Sequence, residues 1–459
     1  MCMKKKFDKE IGKIAFVFLP MVMQPLLNFF FLILVAKYCS LEEYGSLALS
    51  MVLVSVIVGF SDFGLRDYLL SKGAIDKGLS SGENLFLPAT VGYLVLVMAA
   101  MFYLGNVGGT HDAYYLLVSF LPEALAFAVL QRCLFFHYQR QDRLVRFSSL
   151  DSIFKSLPFA VKIGLFLLTG NLILSVAVGA GVAMLSYLGW FYLRCIRQPG
   201  FFAIDTQVFA TLGKMLTLWR SWLPFTVSFF SFFLYFGADR IVIEKLLGGE
   251  QLAVYAAAVS FIAIGQIAVT AFWSLYMPRI SRGFNEIGQR KFVILAVGLS
   301  LGMFAGYQVF ALLLFHLFYP ESYAGASLIL QIMAGFFIFR LVNVVFEMYW
   351  VAEERYDSFV KMRVFCGLLS VALNCIFIPV FGLIAPAVIV VICELTLTLL
   401  ILFAEYRRWS SPVAEHQAIP VEIVPEAVPM DVIPPALLQS VQPAPSLFIE
   451  LSEAGHSGT

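Results

Sequence analysis

Long apolar runs separated by short polar connections occupy most of this chain. A window of transmembrane length finds twelve of them, at about 11–36, 44–64, 85–106, 113–137, 150–169, 171–193, 218–243, 251–276, 292–318, 324–350, 362–380 and 383–406. Each suffices for a helix crossing a hydrocarbon core about 30 Å thick. Prolines at 20, 25, 122, 158 and 224 fall inside these runs. In a membrane the carbonyls that proline frees must be satisfied by neighbouring helices, side chains or water. The pattern stops near Trp409. The remainder, VEIVPEAVPMDVIPPALLQSVQPAPSLF and its flanks, is rich in proline and carries no Lys or Arg, as expected for a disordered or extended cytoplasmic tail.

The polar positions inside the runs are the informative ones. In LDSIFKSLPFAVKIGLFLLT, Asp151, Lys155, Pro158 and Lys162 are spaced four, three and four, which places them on one helix face. Lys162 falls roughly 18 Å along the span at 1.5 Å per residue, where an unpaired ammonium is costly. Either Asp151 and Lys155 pair at i, i+4 and Lys162 has a structural partner, or this face lines a polar cavity in a transporter. Span ten repeats the pattern with Arg340, Asn343 and Glu347. Arg132 lies near the cytoplasmic end of span four, where lining a cavity and snorkelling are equally open to it. Glu123 and Glu394 are deep carboxylates, suited either to a coupling-ion site or to hydrogen-bonded structural roles. Asp62 and Asp239 sit near span ends and read as interfacial or helix-terminus residues.

Composition agrees with a polytopic membrane protein: of 459 residues, 60% are hydrophobic and 13% charged, with a mean hydropathy of +0.86. The net charge of +1 conceals an asymmetry. With the N-terminus inside, 24 of the 31 Lys and Arg residues fall in cytoplasmic segments, and only Lys37, Arg240 and Lys245 fall outside. The positive-inside rule then places both termini in the cytoplasm. The seven cysteines show no CxxC spacing and the five histidines no ligand spacing, so neither a disulfide framework nor a metal site is expected. No Walker motif is present, which argues against direct ATP drive. Outer connections too short to build a catalytic site argue against an extracytoplasmic polymerase or ligase. No cofactor and no nucleic-acid partner are expected.

The halves echo each other. LEEYGSLALS around Tyr44 is matched by LAVYAAAVS around Tyr255 at an offset of 211, and Tyr138 by Tyr349 at the same offset. Six spans in each half insert with the same orientation, which implies two lobes related by an axis along the membrane normal with a site between them. The expected organisation is an N-terminal lobe at 1–217, a C-terminal lobe at 218–408 and a Pro-rich tail at 409–459.

Several runs resemble the polysaccharide-biosynthesis (O-antigen-type) flippases, the oligosaccharide-lipid branch of the superfamily that includes the MATE multidrug exporters. Leu41–Gly45 resembles the family's "lspeeYG" turn, and Asp62–Leu65 its "DlGl" element. ADRIVIEKLLGGEQLAVYAAA, YMPRIS, YPESYAGASLILQIM and LNCIFIPVFGLIAPA are similar to later family runs, with Ala385-Pro386 replacing a Gly-Ala pair. The resemblance implies an all-α, MATE-like fold of about twelve transmembrane helices. It also implies a flippase carrying a polyprenyl-diphosphate-linked oligosaccharide from the inner to the outer leaflet of a prokaryotic cytoplasmic membrane, driven by a proton or sodium gradient. On that reading Lys162 and Arg340 contact diphosphate or acidic sugar, with Lys155, Arg132 and Asn343 in support. Glu123, Glu347, Glu394 and Asp151 are candidates for ion coupling or pairing. Expected partners are the lipid-linked substrate, membrane lipids and polysaccharide polymerase or assembly proteins. The alternatives are a MATE-like drug or metabolite exporter, or a non-transporting or enzymatic component of an assembly complex.

Overall fold

The computed structural model describes residues 23–62, 65, 83–106, 110–140, 144–197, 219–280, 286–352 and 355–410. Helices and their short connections account for all of these, and none of the described residues is in a strand. The helices are α1 (Met23–Tyr38), α2 (Leu41–Phe60), α3 (Glu83–Asn106), α4 (His111–Arg140), α5 (Leu144–Thr169), α6 (Leu172–Arg197), α7 (Trp219–Phe236), α8 (Ala238–Leu247) and α9 (Gly249–Ile280). They continue as α10 (Glu286–Phe318), α11 (Gly325–Ala334), α12 (Phe336–Ala352), α13 (Tyr356–Phe381) and α14 (Ile384–Trp409).

Ten stretches among the described residues are long and apolar enough to cross a membrane. They coincide with ten of the twelve runs read from the sequence. The first run lies partly outside the described residues. The seventh is interrupted at Gly237, where α7 ends and α8 begins. Lys4, Lys5, Lys6, Lys9, Lys13, Pro20, Arg66, Lys72, Lys77, Arg143, Lys214, Arg282 and the tail from 411 also lie outside the described residues.

Met1–Ala404 form one compact unit and Glu405–Thr459 a second. In the second, Arg408 Nη1 lies 3.8 Å from Glu405 Oε2 in the last turn of α14.

Many large apolar side chains are left on the surface, Leu168, Leu185, Ile294 and Val309 among the most exposed of them. In water this would be a liability, but in lipid it removes no favourable contact. Inside the unit, small polar groups tie helices together. Ser50 Oγ donates to Ala113 O at 2.9 Å, and Ser46 and Thr110 share a hydroxyl hydrogen bond of 2.6 Å.

The SLEEYG turn has a residue-by-residue explanation. Ser40 and Glu43 form a capping box on α2, with Glu43 N donating to Ser40 Oγ at 3.2 Å and Ser40 N to Glu43 Oε2 at 2.8 Å; this satisfies orphan N–H groups at the helix start. Tyr44 is fully buried and packs edge-on to Tyr323. Gly45 lets α2 cross α9, because a Cβ there would lie 2.0 Å from Gly249 O. Gly45→Ala is therefore expected to destabilise the protein by about 1–3 kcal/mol through overpacking against backbone, read as a lower unfolding temperature in detergent.

The prolines are accommodated locally. Pro122 lies inside α4, and a π-helical stretch, Ala126–Gln131, follows it. Tyr93 Oη donates to Leu121 O at 3.0 Å and Ser61 Oγ to Ala128 O at 3.2 Å, so carbonyls beside the irregularity find donors on α3 and at the end of α2. The Ala385-Pro386 departure is harmless. Gly382 turns the chain at a φ of 59°, and Pro386 occupies the first turn of α14, where its missing N–H costs no hydrogen bond.

Candidate functional site

Two groups of intramembrane charges are held by different helices. The first joins α2, α4, α5 and α6. Asp151 and Lys155 pair at i, i+4 with an Nζ–Oδ2 distance of 2.9 Å. Asp151 Oδ1 also accepts from Tyr187 Oη at 2.7 Å and Gln131 Nε2 at 3.3 Å. One turn beyond Pro158, Lys162 Nζ donates to Glu123 Oε2 at 2.5 Å and lies over the rings of Phe120 and Phe159 at 4.8 and 4.6 Å. Lys162 is 1% exposed. Gly179 on α6 makes the room, since a Cβ there would fall 2.4 Å from Lys162 Cγ.

Arg132 forms an ion pair with Asp62 and donates to Val58 O at 2.5 Å and Gly59 O at 3.0 Å. It thereby caps the C-terminal end of α2, where a cation meets the helix dipole and orphan carbonyls. The polar face of α5 therefore exists as the spacing predicts, but the structure places Lys162, Lys155 and Arg132 each against a carboxylate. An ammonium as enclosed as that of Lys162 has no open side from which to receive a phosphate.

The second group, on α12, α13 and α14 with α8 and α9, surrounds open space. A cavity of about 520 Å³ is lined by Arg240, Arg340, Arg363, Glu347, Gln266 and Trp273, together with smaller apolar residues. Arg363 Nη2 lies 2.9 Å from Glu347 Oε2, with its guanidinium 4.5 Å over the Phe359 ring. Arg340 Nη1 lies 3.5 Å from Glu394 Oε1. Asn343 Nδ2 donates to Glu394 Oε2, and Thr398 Oγ1 donates to Asn343 Oδ1 at 2.8 Å and to Glu394 O at 2.9 Å. Asn343 thus holds Glu394 and lies outside the cavity wall. Among the described residues, three arginines and one carboxylate, Glu347, line the cavity, while Glu394 lies behind Arg340 and the buried Asp239 beside Arg240.

Arg240 is the most loosely held of the three, with the field of the neighbouring Asp239 acting on it. It has no ion pair among the described residues, its Nη2 donates to Phe236 O at 3.3 Å, and its buried Nε has no acceptor among them. The sequence reading counts Arg240 as an outside residue, because a hydropathy window sees 218–243 as one continuous span with Arg240 at its outer end. The break at Gly237, whose N–H donates to Phe233 O at 2.8 Å, restarts the helix as α8, and Arg240 lines the cavity. Asp239 beside it is occupied by Tyr255 and by the Arg240 backbone N–H. Arg363, Gln266 and Trp273 also escape the sequence reading. Arg363 is there a cytoplasmic positive charge, and nothing in the sequence separates Gln266 from other polar residues within apolar runs.

A cavity inside a bundle of helices long and apolar enough to cross a membrane, walled by arginines and aromatic rings, is the candidate binding site of a multi-pass membrane protein. The model of the polysaccharide biosynthesis protein family matches residues 12–284, more than half of the chain, and the chain belongs to that family. Among solved structures it is similar to the lipid II flippase MurJ in an inward closed conformation, with a TM-score of 0.63 and 16% identity, covering 84% of this chain and 87% of that one. It is also similar to an inward-facing multidrug resistance MATE family transporter of the MOP superfamily (TM-score 0.59, 15% identity, 88% and 100% coverage). A mutant of the Vibrio cholerae MATE transporter VcmN gives a TM-score of 0.58 at 14% identity, over 88% and 98% of the two chains. These likenesses show the shared fold. No curated protein matches the sequence.

Proposed function

We propose that this protein is an alternating-access flippase that moves a polyprenyl-diphosphate-linked oligosaccharide, an O-antigen or exopolysaccharide repeat unit, from the inner to the outer leaflet of a prokaryotic cytoplasmic membrane. The observation that carries this reading is a pair of arginines with donors to spare: Arg240, with no ion pair among the described residues, and Arg340, with a loose one, line the same space. A diphosphate crossing a low-dielectric region needs cationic partners, and the guanidinium fork suits its oxygens. Trp273 and Phe236 line the same space and offer faces on which sugar rings stack. Membership of a polysaccharide biosynthesis family supports a glycan as the cargo.

On this reading the cavity, whose lining runs from Phe236 to Arg363 within the second half of the chain rather than between the halves, opens in turn to the two sides of the membrane, with a proton or sodium gradient supplying direction. The test is a deletion strain with and without the gene restored. Lipid-linked repeat units are expected to accumulate on the cytoplasmic side while surface polysaccharide disappears. Unchanged pools and unchanged surface glycan would overturn the proposal.

A further inference from the structure

Arg340 stands between two spaces. On one side is the 520 Å³ cavity. On the other is a void of about 10 Å³ bounded by Tyr235, Arg340, Arg363, Cys366, Glu394 and Leu397, room for about one water. Glu394 reaches that void from α14 and is 0% exposed. Its two oxygens are held differently. Oε2 is fixed by Asn343, itself anchored by Thr398. Oε1 accepts no hydrogen bond among the described residues and lies 3.5 Å from Arg340 Nη1, well beyond the roughly 2.8 Å of a formed charge-assisted bond. Arg340 Nε is likewise buried without an acceptor among the described residues. The guanidinium is therefore neutralised by a carboxylate that does not grip it, and it retains donors for another anion.

We infer that Glu394 is a placeholder for the anionic headgroup of the cargo, neutralising Arg340 while the cavity is empty and losing it when a diphosphate enters. This rests on the flippase reading and gives its cavity a proton linkage. When Arg340 turns to the phosphate oxygens, its N–H contact with Glu394 Oε1 is exchanged for N–H···O–P. Glu394 is then a carboxylate with no accessible surface that has lost its nearest cation and keeps only the Asn343 and Tyr235 hydroxyl contacts and the weaker attraction of Arg363, which is costly. A proton from cavity water crosses the small void and forms an O–H bond at Oε1; the solvent loses one proton and the diphosphate keeps its charge.

The other groups facing Glu394 do not replace the lost cation. Arg363 on α13 is engaged by Glu347 at 2.9 Å. Tyr235 on α7, Cys366 on α13 and the adjacent Cys393 carry no positive charge. Because binding gains a proton, affinity for the diphosphate falls as pH rises, by up to about tenfold per pH unit.

The test is calorimetric titration of the purified full chain in lipid nanodiscs with farnesyl diphosphate, from neutral to alkaline pH, in buffers of different ionisation heat. Wild type is expected to bind more weakly as pH rises and to take up a proton beyond what the probe itself contributes. Glu394→Gln, which keeps the Asn343 contact but offers Arg340 no charge, is expected to bind at least about tenfold more tightly at the alkaline end and to lose that extra uptake. The probe's own titration is common to both proteins, so their difference isolates Glu394.

Glu394→Asp guards against a misfolded glutamine variant. Its shortened carboxylate grips Arg340 less, so tighter binding with proton uptake retained is expected. Equal affinity and equal proton uptake in wild type and the folded variants would overturn the placeholder while leaving the flippase reading intact. Failure of wild type to bind farnesyl diphosphate, with Arg340→Ala no different, would instead overturn the cavity reading beneath it.

Discussion

Cells carrying Arg240→Gln and Arg340→Gln together are expected to lose surface glycan, and to lose more of it than any fall in the amount of membrane protein accounts for. Each arginine that hydrogen-bonds a phosphate contributes about 1.5–3 kcal/mol, so removing both weakens cargo binding by about two to four powers of ten. The single variants differ in a way the structure dictates. Arg240 has no ion pair among the described residues, so Arg240→Gln breaks none, and its stability cost is limited to the attraction that the buried Asp239 loses. Arg340→Gln leaves Glu394 unpaired and adds a stability cost to the loss of binding. Pairing it with Glu394→Gln removes that cost without restoring the cation. Immunoblots of membranes alongside glycan gels separate the two effects. Full glycan in the double arginine variant, or glycan that recovers in step with the protein once Glu394→Gln is added, would refute the assignment.

The organisation of the helices was largely legible because lipid imposes a one-dimensional signal. Ten runs of the required length and hydropathy stand where ten helices stand. The polar faces were legible for a similar reason. Spacings of three and four residues put Asp151, Lys155 and Lys162 together, and likewise Arg340, Asn343 and Glu347, whatever surrounds them. What those faces touch was not legible. Glu123 and Lys162 meet across 39 positions, and Asn343 and Glu394 across 51; no local pattern encodes such pairings. The i, i+4 pairing of Asp151 with Lys155 was the one partner available from spacing alone, and it is present at 2.9 Å. The place of Arg240 in the cavity was hidden for a further reason: hydropathy averages over the break at Gly237, while the direction of an arginine depends on where the helix restarts.

The enclosure of Lys162 changes the outcome expected of its variants. Read from the sequence, Lys162→Ala abolishes glycan by removing a cargo contact and leaves the protein intact. The 2.5 Å pair with Glu123, at 1% exposure and between two aromatic rings, implies instead that removing either partner strands a buried charge, at about 3–5 kcal/mol. Lys162→Met and Glu123→Leu, made singly, are therefore expected to lower the unfolding temperature and the amount of protein in the membrane, and glycan falls with it. The double variant replaces the pair by apolar groups of similar size, which is often neutral or stabilising for a buried ion pair. It is expected to regain both protein level and surface glycan. A cargo ligand could not behave in this way, because no apolar pair holds a phosphate. A double variant that accumulates normally yet makes no glycan would return Lys162 to the transport path and show that the pair opens during the cycle.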